Sequence, residues 1–465
     1  MIPNDTIIAL ATPSGSGAIA VIRISGPRAI AITGKHFESV SGKILTEQKS
    51  HTIHLGFIKD GELTLDQVLI SVFKNPNSYT GENVVEISCH GSLYIQQEII
   101  QLFLRKGCRM ASPGEFTMRS FLNAKMDLSQ AEAVADLIAS DNAANHQVAI
   151  QQMRGGFSNQ LKELRKQLLD FASLIELELD FAEEDVEFAN RDEFQLLVSK
   201  IETVLKNLID SFSLGNVIKT GVPVAIIGEP NVGKSTLLNA LLNEERALVS
   251  EIAGTTRDTI EDEIVIGGIG FRFIDTAGIR ETKDIIEGLG IQRTFEKADK
   301  AQVVLYLLNG VELTDDSAKL QAAKLNLKEI EHKYEHKSVV PIINKVDALD
   351  QQSIDSLTTS FPNSLLISAK EKKGVDALEK LLLSFLETGK LKNNESIVTN
   401  SRHYDSLLNA LTEIKKIQFG LDTDVPSDLL TIDIRQALYY FGEITGEITS
   451  DDLLGNIFAN FCIGK

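Results

Sequence analysis

The sequence predicts a multidomain chain: an N-terminal α+β domain over residues 1–120, then an α-helical domain interrupted by an inserted α/β domain. Three changes of hydrophobic period carry that expectation. Short Ile- and Val-rich runs fill the first part, apolar residues at helical spacing follow from about 126, and from 222 strand-like runs alternate with helical ones. The helical period returns after about 390, so the α/β unit reads as an insertion within one helical domain. The expected boundaries are 121–217 for the first helical part, 218–386 for the insert, and 387–465 for the second helical part with its terminal tail.

In the first domain "TIIALAT", "AIAVIRISG", "QVLISVFKN" and "NVVEISCHG" read as strands, each ending at a turn-forming residue. "LYIQQEIIQLFLRKG" reads as a helix with Gly107 as its C-cap. Beyond 126, Leu161, Leu164, Leu168, Phe171, Ile175 and Leu179 lie along one helix face, the pattern of a packed bundle. The acidic run "AEEDVEF" at 182–188 reads as a solvated helix end or turn rather than a metal site. The insert offers "PVAIIG", "DEIVI", "GFRFIDTAG", "AQVVLYLLN", "SVVPIIN" and "SLLIS", a sheet of about six strands. Leu407, Leu411, Ile414 and Ile417, then Leu430, Ile434, Leu438 and Phe441, restore the helical spacing. No internal repeat is apparent.

With 465 residues, 43% hydrophobic and 24% charged, the composition is that of a globular protein too long for one core. No apolar run approaches the roughly 18 residues of a membrane span. The N-terminus has no basic segment ahead of an apolar one, so no secretory signal is expected. Cys89, Cys108 and Cys462 lack CxxC or zinc spacing, which fits a reducing cytoplasm. The net charge of −19 argues against a generic polyphosphate binder. Nucleic-acid contact would have to use local basic patches or a basic partner.

Chemistry concentrates in the insert. "GEPNVGKS" at 228–235 fits G-x-x-x-x-G-K-[ST] between a strand and the helix "TLLNALLN". Backbone N–H groups from Asn231 to Thr236, including those of Val232 and Gly233, are placed to cradle phosphates. Lys234 should reach the β- and γ-phosphates, and the Ser235 hydroxyl should ligate Mg²⁺. "DTAG" at 275–278 ends a strand, with Asp275 near the magnesium shell, Thr276 and Ala277 following, and the Gly278 amide near the γ-phosphate. In "SEIAGTTRD", Ser250, Glu251, Ile252, Ala253, Gly254, Thr255 and Thr256 form a switch loop, Thr256 being the second Mg²⁺ ligand. "NKVD" at 344–347 sets base identity. Asp347 can accept from guanine N1–H and the exocyclic amine, Asn344 can address the O6/N7 edge, and the Lys345 stem can lie along the base. "SAK", Ser368, Ala369 and Lys370, suits backbone contacts to O6. In this order the motifs define a Ras-like P-loop GTPase domain with GTP, not ATP, as substrate. Directly after "DTAG", Ras-type enzymes carry a water-orienting Gln; here Ile279 cannot serve, which leaves Glu281, Asp284 and Glu287 as nearby carboxylates.

These motifs, together with "NDTIIALATPSGSGAIAVIRISG", "NSYTGENVVEISCHG", "RMASPGEFTMRSFLNAKMDLSQAEAVADLI" and "GEITSDDLLGNIFANFCIGK", resemble the bacterial tRNA-modification GTPase family MnmE (TrmE) through essentially the whole chain. The resemblance implies a homodimer, joined through an N-terminal folate-binding domain, that works on tRNA with the FAD- and NADH-using partner MnmG as a heterotetramer. The implied product is an aminomethyl or carboxymethylaminomethyl group on C5 of the wobble uridine, position 34. The one-carbon unit would come from a reduced folate, 5-formyl- or methylene-tetrahydrofolate. By motif the folate contacts map to Arg23, Glu86, Lys125 and Lys465. The family's GTPase is stimulated by K⁺, for which Asn231, the carbonyls of Ser250 and Ile252, and Thr255 match the ligands. Glu287 matches the position that organises the attacking water, and Arg280 is expected to support the switch. Ser92 and Cys89 stand where the family often has glycine, and Ser250 where threonine is frequent. The competing class is a GTPase switch in ribosome assembly, which would share the G motifs but usually add an RNA-binding module; no basic appended module is present.

The terminal "CIGK" superficially fits a prenylation box, but Gly464 is not aliphatic and Lys465 lies outside the usual final residues. No membrane attachment is expected. Cys462 is left with two readings, a reactive thiol with a catalytic role and a small apolar residue that packs the last helix.

Overall fold

The computed structural model describes residues 5–180, 190–244, 262–274, 298–385, 396–423, 425–459, 461, 462 and 464. The chain divides into two compact units, one comprising Met1–Ala139, Ala149–Leu205 and Asp405–Lys465, the other Ser140–Val148 and Lys206–Tyr404.

The first unit begins with a seven-stranded sheet made of β1 (Ile7–Leu10), β2 (Ile19–Ser25), β3 (Phe37–Ser39), β4 (Thr52–Asp60), β5 (Leu63–Phe73), β6 (Val84–His90) and β7 (Arg109–Met110). Their order is β3-β4-β5-β6-β2-β1-β7, antiparallel except for the β1–β7 pair. Two helices, α1 (Ala29–His36) and α2 (Leu93–Arg105), cover one face. Ala20, Ile22 and Ile24 of β2, Ile70 and Val72 of β5, and Val85 and Ile87 of β6 are buried there with Ile99, Leu102 and Phe103. Strand alternation sends Arg23, Glu86, Leu69, Ile53 and Leu55 to the opposite face.

The four predicted strands are present, but β3, β4 and β7 are additions. Strand β4 alternates Ile53, Leu55 and Phe57 with other residues, but Ile53 and Leu55 point outward while His54, Gly56 and Ile58 face the core. Gly107 is displaced by one position from its expected role: Lys106 caps α2, and Gly107, at φ +94°, is the left-handed residue after it.

The helical part of this unit contains α3 (Glu115–Leu122), α4 (Leu128–Ala139), the end of α5 (Ala143–Met153), α6 (Gly156–Asp180) and the start of α7 (Arg191–Thr220). Leu161, Leu164, Leu168 and Ile175 of the predicted stripe are buried, and Phe171 stacks on Phe194 at 4.1 Å. The acidic run at 182–188 lies outside the described residues. At the other end of the chain, α13 (Ser401–Asp422), α14 (Ser427–Thr445) and α15 (Asp451–Ala459) contribute Leu407, Leu411, Ile414, Ile417, Ile434 and Phe441 to the interior. The α15 end is fixed by Phe458 and Phe461, which pack with Leu128 and Ala131. A fully buried Arg119 on α3 binds three carboxylates: Asp5 (2.5 Å), Glu82 (3.1 Å) and Glu115 (2.9 Å).

The second unit is a six-stranded sheet of β8 (Val222–Ile227), β9 (Asp262–Ile266), β10 (Ile269–Phe273), β11 (Val303–Asn309), β12 (Ser338–Asn344) and β13 (Leu365–Leu366). The order is β13-β12-β11-β8-β10-β9, parallel except for the β9–β10 hairpin. Both faces are covered. Val224, Ile226, Leu305 and Leu307 enter one core, and Ala225, Ile227, Val304 and Tyr306 the other. The helices α8 (Lys234–Glu244), α9 (Gly310–Asp315), α10 (Ser317–Lys333), α11 (Gln351–Ser360) and α12 (Val375–Ser384) complete the described unit.

Candidate functional site

In the second unit the nucleotide motifs gather at the carboxyl ends of β8, β11 and β12, where ligands bind in open α/β sheets. The loop from Gly228 to Gly233 turns through three left-handed residues, Gly228 (φ +150°), Asn231 (φ +62°) and Gly233 (φ +102°), before α8 begins at Lys234. A Cβ at Gly228 would run into the Leu307 carbonyl, and one at Gly233 into the Asn344 amide. The loop is thus a cradle that admits backbone only, followed by a helix N-terminus, which fits a polyphosphate. The Ser235 hydroxyl, in the first turn of α8, is the described member of the Mg²⁺ donor set and has the chemistry that ion prefers. Lys234 Nζ donates to the carbonyls of Gly228 (2.8 Å) and Glu229 (2.7 Å), so its ammonium lies along the cradle.

Asn344 has a part in the loop structure beyond the base contact read in the sequence. It is buried, its Nδ2 donates to the Val232 carbonyl (2.8 Å), and its Oδ1 accepts from the Ala369 amide (3.0 Å). It therefore braces the phosphate loop against the SAK loop, and its second Nδ2 hydrogen stays available for a base. The Asn344 bond commits the Ala369 N–H, one of the backbone groups of the SAK motif. Asp347 meets its expectation more directly: it is exposed, and Ser368 Oγ donates to its Oδ1 (2.6 Å). That hydrogen bond outweighs burial and holds the carboxyl below its ordinary value, so it stays an acceptor at neutral pH. Lys345, between them, has left-handed backbone at φ +67°.

A second cluster lies on the opposite face of the N-terminal sheet, where Phe116 of α3 packs with Ile7 and Ala9 of β1. Arg23 and Glu86 face each other across β2 and β6, with Arg23 Nε (2.9 Å) and Nη2 (2.8 Å) both on Glu86 Oε1. The guanidinium lies over the rings of Tyr79 (5.3 Å) and Phe116 (5.6 Å), and its Nη1 donates to the Gly464 carbonyl (3.2 Å). Gly464 itself, at φ +98°, fits against the Leu10 carbonyl where no Cβ could. The chain terminus thus reaches the Arg23–Glu86 pair. Lys125 is held on the adjoining loop by a hydrogen bond to the Pro76 carbonyl (3.0 Å). Glu86 Oε2, opposite the shared oxygen, offers an acceptor to a ring amidine, and the aromatic pair offers a flat wall; both suit a pterin. Tyr79 Oη pairs with Thr117 Oγ1 at 2.8 Å. Burial pushes its phenol up, partly offset by that bond and by Arg23.

The three cysteines are free thiols. Cys89 and Cys108 are buried and pushed up to about 11 by desolvation, whereas Cys462 is exposed, its carbonyl accepting from the Gly114 amide (3.4 Å). Ser250, Glu251, Ile252, Ala253, Gly254, Thr255, Thr256, Asp275, Thr276, Ala277, Gly278, Arg280, Glu287 and Lys465 lie outside the described residues, as do Ile279, Glu281 and Asp284. Among the described residues no helix is long and apolar enough to cross a membrane.

Comparison with known proteins decides between the two functional classes. A family model described as the MnmE helical domain matches residues 128–462, and one described as the GTP-binding protein TrmE N-terminus matches residues 6–125. The chain belongs to the MnmE family. Proteins named tRNA modification GTPase MnmE are similar along their whole length. The Flavobacterium psychrophilum protein is 69% identical over 465 residues, covering 100% of both chains. That of Flavobacterium johnsoniae is 65% identical over 469 residues with the same coverage, and that of Christiangramia forsetii 64% identical over 471 residues, covering 99% of each. A match of this extent sets aside the ribosome-assembly alternative, because the N-terminal domain and the terminal tail are shared as well as the G motifs. Within the MnmE framework, sequence reasoning missed Tyr79, Phe116 and the Gly464 carbonyl around Arg23. Tyr79 lies in the stretch "NSYTGENVVEIS", but nothing in its spacing pairs it with Arg23.

Proposed function

We propose that this enzyme, a GTP-hydrolysing member of the MnmE family acting in tRNA wobble-uridine modification, couples GTP turnover in its second unit to one-carbon chemistry at the Arg23–Glu86 cluster. The observation that carries the reading is the Gly464 carbonyl on Arg23, which joins the tail to the pair that motif matching assigned to folate.

Lys234 exchanges its carbonyl partners for phosphate oxygens when nucleotide fills the cradle, and Asp347 selects guanine. Bound Mg²⁺ supplies charge neutralisation on the phosphates, with Ser235 and Thr256 as its protein ligands. Asn231, whose left-handed backbone turns its side chain out of the ordinary loop path, would hold K⁺ with the carbonyls of Ser250 and Ile252 and with Thr255. Glu287 would orient the attacking water, with Arg280 supporting the switch, in place of the absent Gln. At the other site Glu86 would take the pterin edge of a reduced folate, 5-formyl- or methylene-tetrahydrofolate, and Arg23, Lys125 and Lys465 its anionic groups. Cys462, exposed beside this cluster's tail, is the nucleophile candidate.

The homodimer reading draws support from Ile53, Leu55 and Leu69, each more than two-fifths exposed on the open sheet face. Partnership with MnmG, bringing FAD and NADH, fits an acidic chain that need not hold tRNA alone. The domain limits we propose remain 1–120, 121–217, 218–386 and 387–465. The decisive experiment complements a null strain with wild type, Arg23→Ala or Asn231→Ala and measures tRNA nucleosides by mass spectrometry. Arg23→Ala should lose wobble modification while keeping K⁺-stimulated GTP turnover; Asn231→Ala should lose the K⁺ over Na⁺ advantage. Full modification by Arg23→Ala would remove the one-carbon site from this cluster.

A further inference from the structure

Asn309 ends β11 and lies in register with Asn344, the last residue of β12, so it stands beside the base-reading turn. Its side chain is buried, the residue being 7% exposed, and its Nδ2 donates to Glu312 Oε1 at 2.6 Å. Its Oδ1 has no hydrogen-bond partner among the described residues. A buried carbonyl oxygen left unpaired costs about 1–3 kcal/mol, so native structures keep few of them without a reason.

The surroundings say what the oxygen awaits. Gly310 lets α9 start directly under the base-reading turn, since a Cβ there would meet Leu349 at 2.9 Å and the Asn344 carbonyl at 3.0 Å. Glu312, in the first turn of α9, has both carboxylate oxygens anchored, Oε1 by Asn309 and Oε2 by Lys319 Nζ (2.5 Å). Hydrogen bonds from Lys319 and Asn309 hold Glu312 below its ordinary value, and the nearby Lys345 charge adds to that. Lys345 is the cation of the turn, and its left-handed φ of +67° is a conformation that a long side chain seldom adopts unaided.

We infer that Asn309 and Glu312 form a seat for the Lys345 ammonium, which fixes the lysine stem across the guanine face. Asn309 Oδ1 supplies the hydrogen-bond acceptor, and Glu312, held in place by Asn309 and Lys319, supplies the charge. Both are positioning residues, since they act on the nucleotide through Lys345. The inference rests on the guanine-nucleotide reading of the second unit. It explains why a carboxylate and an unpaired carboxamide oxygen face a motif otherwise concerned with the base.

The test titrates the full chain with GDP and with ADP by calorimetry, for wild type, Asn309→Ala, Glu312→Gln, Lys345→Ala and the Asn309→Ala/Lys345→Ala double variant. Glu312→Gln can keep its carbonyl as the acceptor for Asn309 Nδ2, while it removes the charge and the acceptor for Lys319 Nζ. Wild type should prefer GDP. Asn309→Ala should weaken GDP binding about tenfold, the worth of one charge-assisted hydrogen bond. Glu312→Gln should weaken it about threefold at low salt and less at high salt. The double variant should bind no more weakly than Lys345→Ala alone, because the seat has nothing left to hold. Losses that multiply in the double variant, or an unchanged GDP affinity in Asn309→Ala, would overturn the seat while leaving guanine binding intact. If Asn309→Ala does not fold, combining Glu312→Gln with Lys345→Ala decides in the same way, multiplying losses again refuting the seat. A wild type that binds ADP as well as GDP would overturn the base reading, and the seat with it.

Discussion

Gly464→Ala is the substitution that most directly separates the two sites. Gly464 has φ +98°, and a Cβ there would run into the Leu10 carbonyl oxygen and Ala11 Cα. The backbone strain is worth about 1–2 kcal/mol. Overlap with backbone atoms, which cannot rotate away as a side chain would, adds about 1–3 kcal/mol. Against this the docked tail has two polar anchors among the described residues, Arg23 Nη1 on the Gly464 carbonyl (3.2 Å) and the longer Gly114 N–H on the Cys462 carbonyl (3.4 Å). A shift of about 2–5 kcal/mol moves the docking equilibrium by roughly thirty-fold to several thousand-fold toward the released tail. The expected outcome is loss of reduced-folate binding in calorimetry and of wobble modification in nucleoside mass spectrometry. GTP turnover per chain should stay close to wild type. Wild-type folate affinity in Gly464→Ala would refute the reasoning, since it would mean that the tail's place on Arg23 is irrelevant to the ligand.

Three further outcomes are expected. Arg119→Ala removes the buried guanidinium that Glu82 and Glu115 share, although Glu115 keeps Arg109, and should destabilise the N-terminal domain by about 3–5 kcal/mol, the usual cost of breaking a buried ion pair. Hydrogen exchange should accelerate in β1 and α3 but not in the phosphate loop. At Asp5 and Glu115, burial acts upward but is outweighed by hydrogen bonds from Arg109 and Arg119, joined at Glu115 by the Ser112 amide, so both carboxyls lie below their ordinary values. Their stabilisation is therefore present at neutral pH and lost as pH falls through the folded values, and thermal melts of Arg119→Ala should show a shallower acid decline than wild type. Maleimide at mildly alkaline pH should label Cys462 alone in the folded chain, because Cys89 and Cys108, both pushed up to about 11, carry almost no thiolate; early labelling of either would contradict their burial. Gly233→Ala places a Cβ against the Asn344 amide at φ +102°, so GDP affinity should fall by at least about tenfold, read by calorimetry.

How much of this was legible in the sequence follows from which physical signals are local. The strand–loop–helix context of "GEPNVGKS" and the run of buried Val and Ile in β8, β11 and β12 are local, and the structure places them as read. Arg23 and Glu86 could be singled out only through family motifs, because they meet by strand register between residues 63 positions apart. Asn344 was identified as a site residue, but its bracing role was not legible. Its motif says that it belongs at the base, while its two hydrogen bonds, to Val232 and Ala369, depend on where three loops converge. Asn309 has no sequence signal at all: it is one polar residue at the end of an apolar strand, and its importance lies in a bond it does not make.

A common arrangement links the functional cations of this acidic chain. Lys234 rests on the Gly228 and Glu229 carbonyls, and Arg23 rests on Glu86. Each has an internal acceptor in the absence of ligand, so ligand binding exchanges one partner for another instead of satisfying an open charge. Exchange lowers affinity for any anion that offers charge without shape, because the internal acceptor competes with it. With a net charge of −19 the surface as a whole also repels polyphosphates. Together these two effects leave selectivity to ligands that match the cradle, the base turn or the aromatic wall in geometry. The same logic requires that tRNA be attracted by something other than this chain's average field. Removing an internal acceptor should therefore broaden specificity before it raises affinity: Glu86→Gln, which keeps the shape but removes the charge that holds Arg23, should let simple polyanions such as heparin compete for the proposed folate site in calorimetry. If heparin competes no better against Glu86→Gln than against wild type, the internal acceptor is not what guards Arg23.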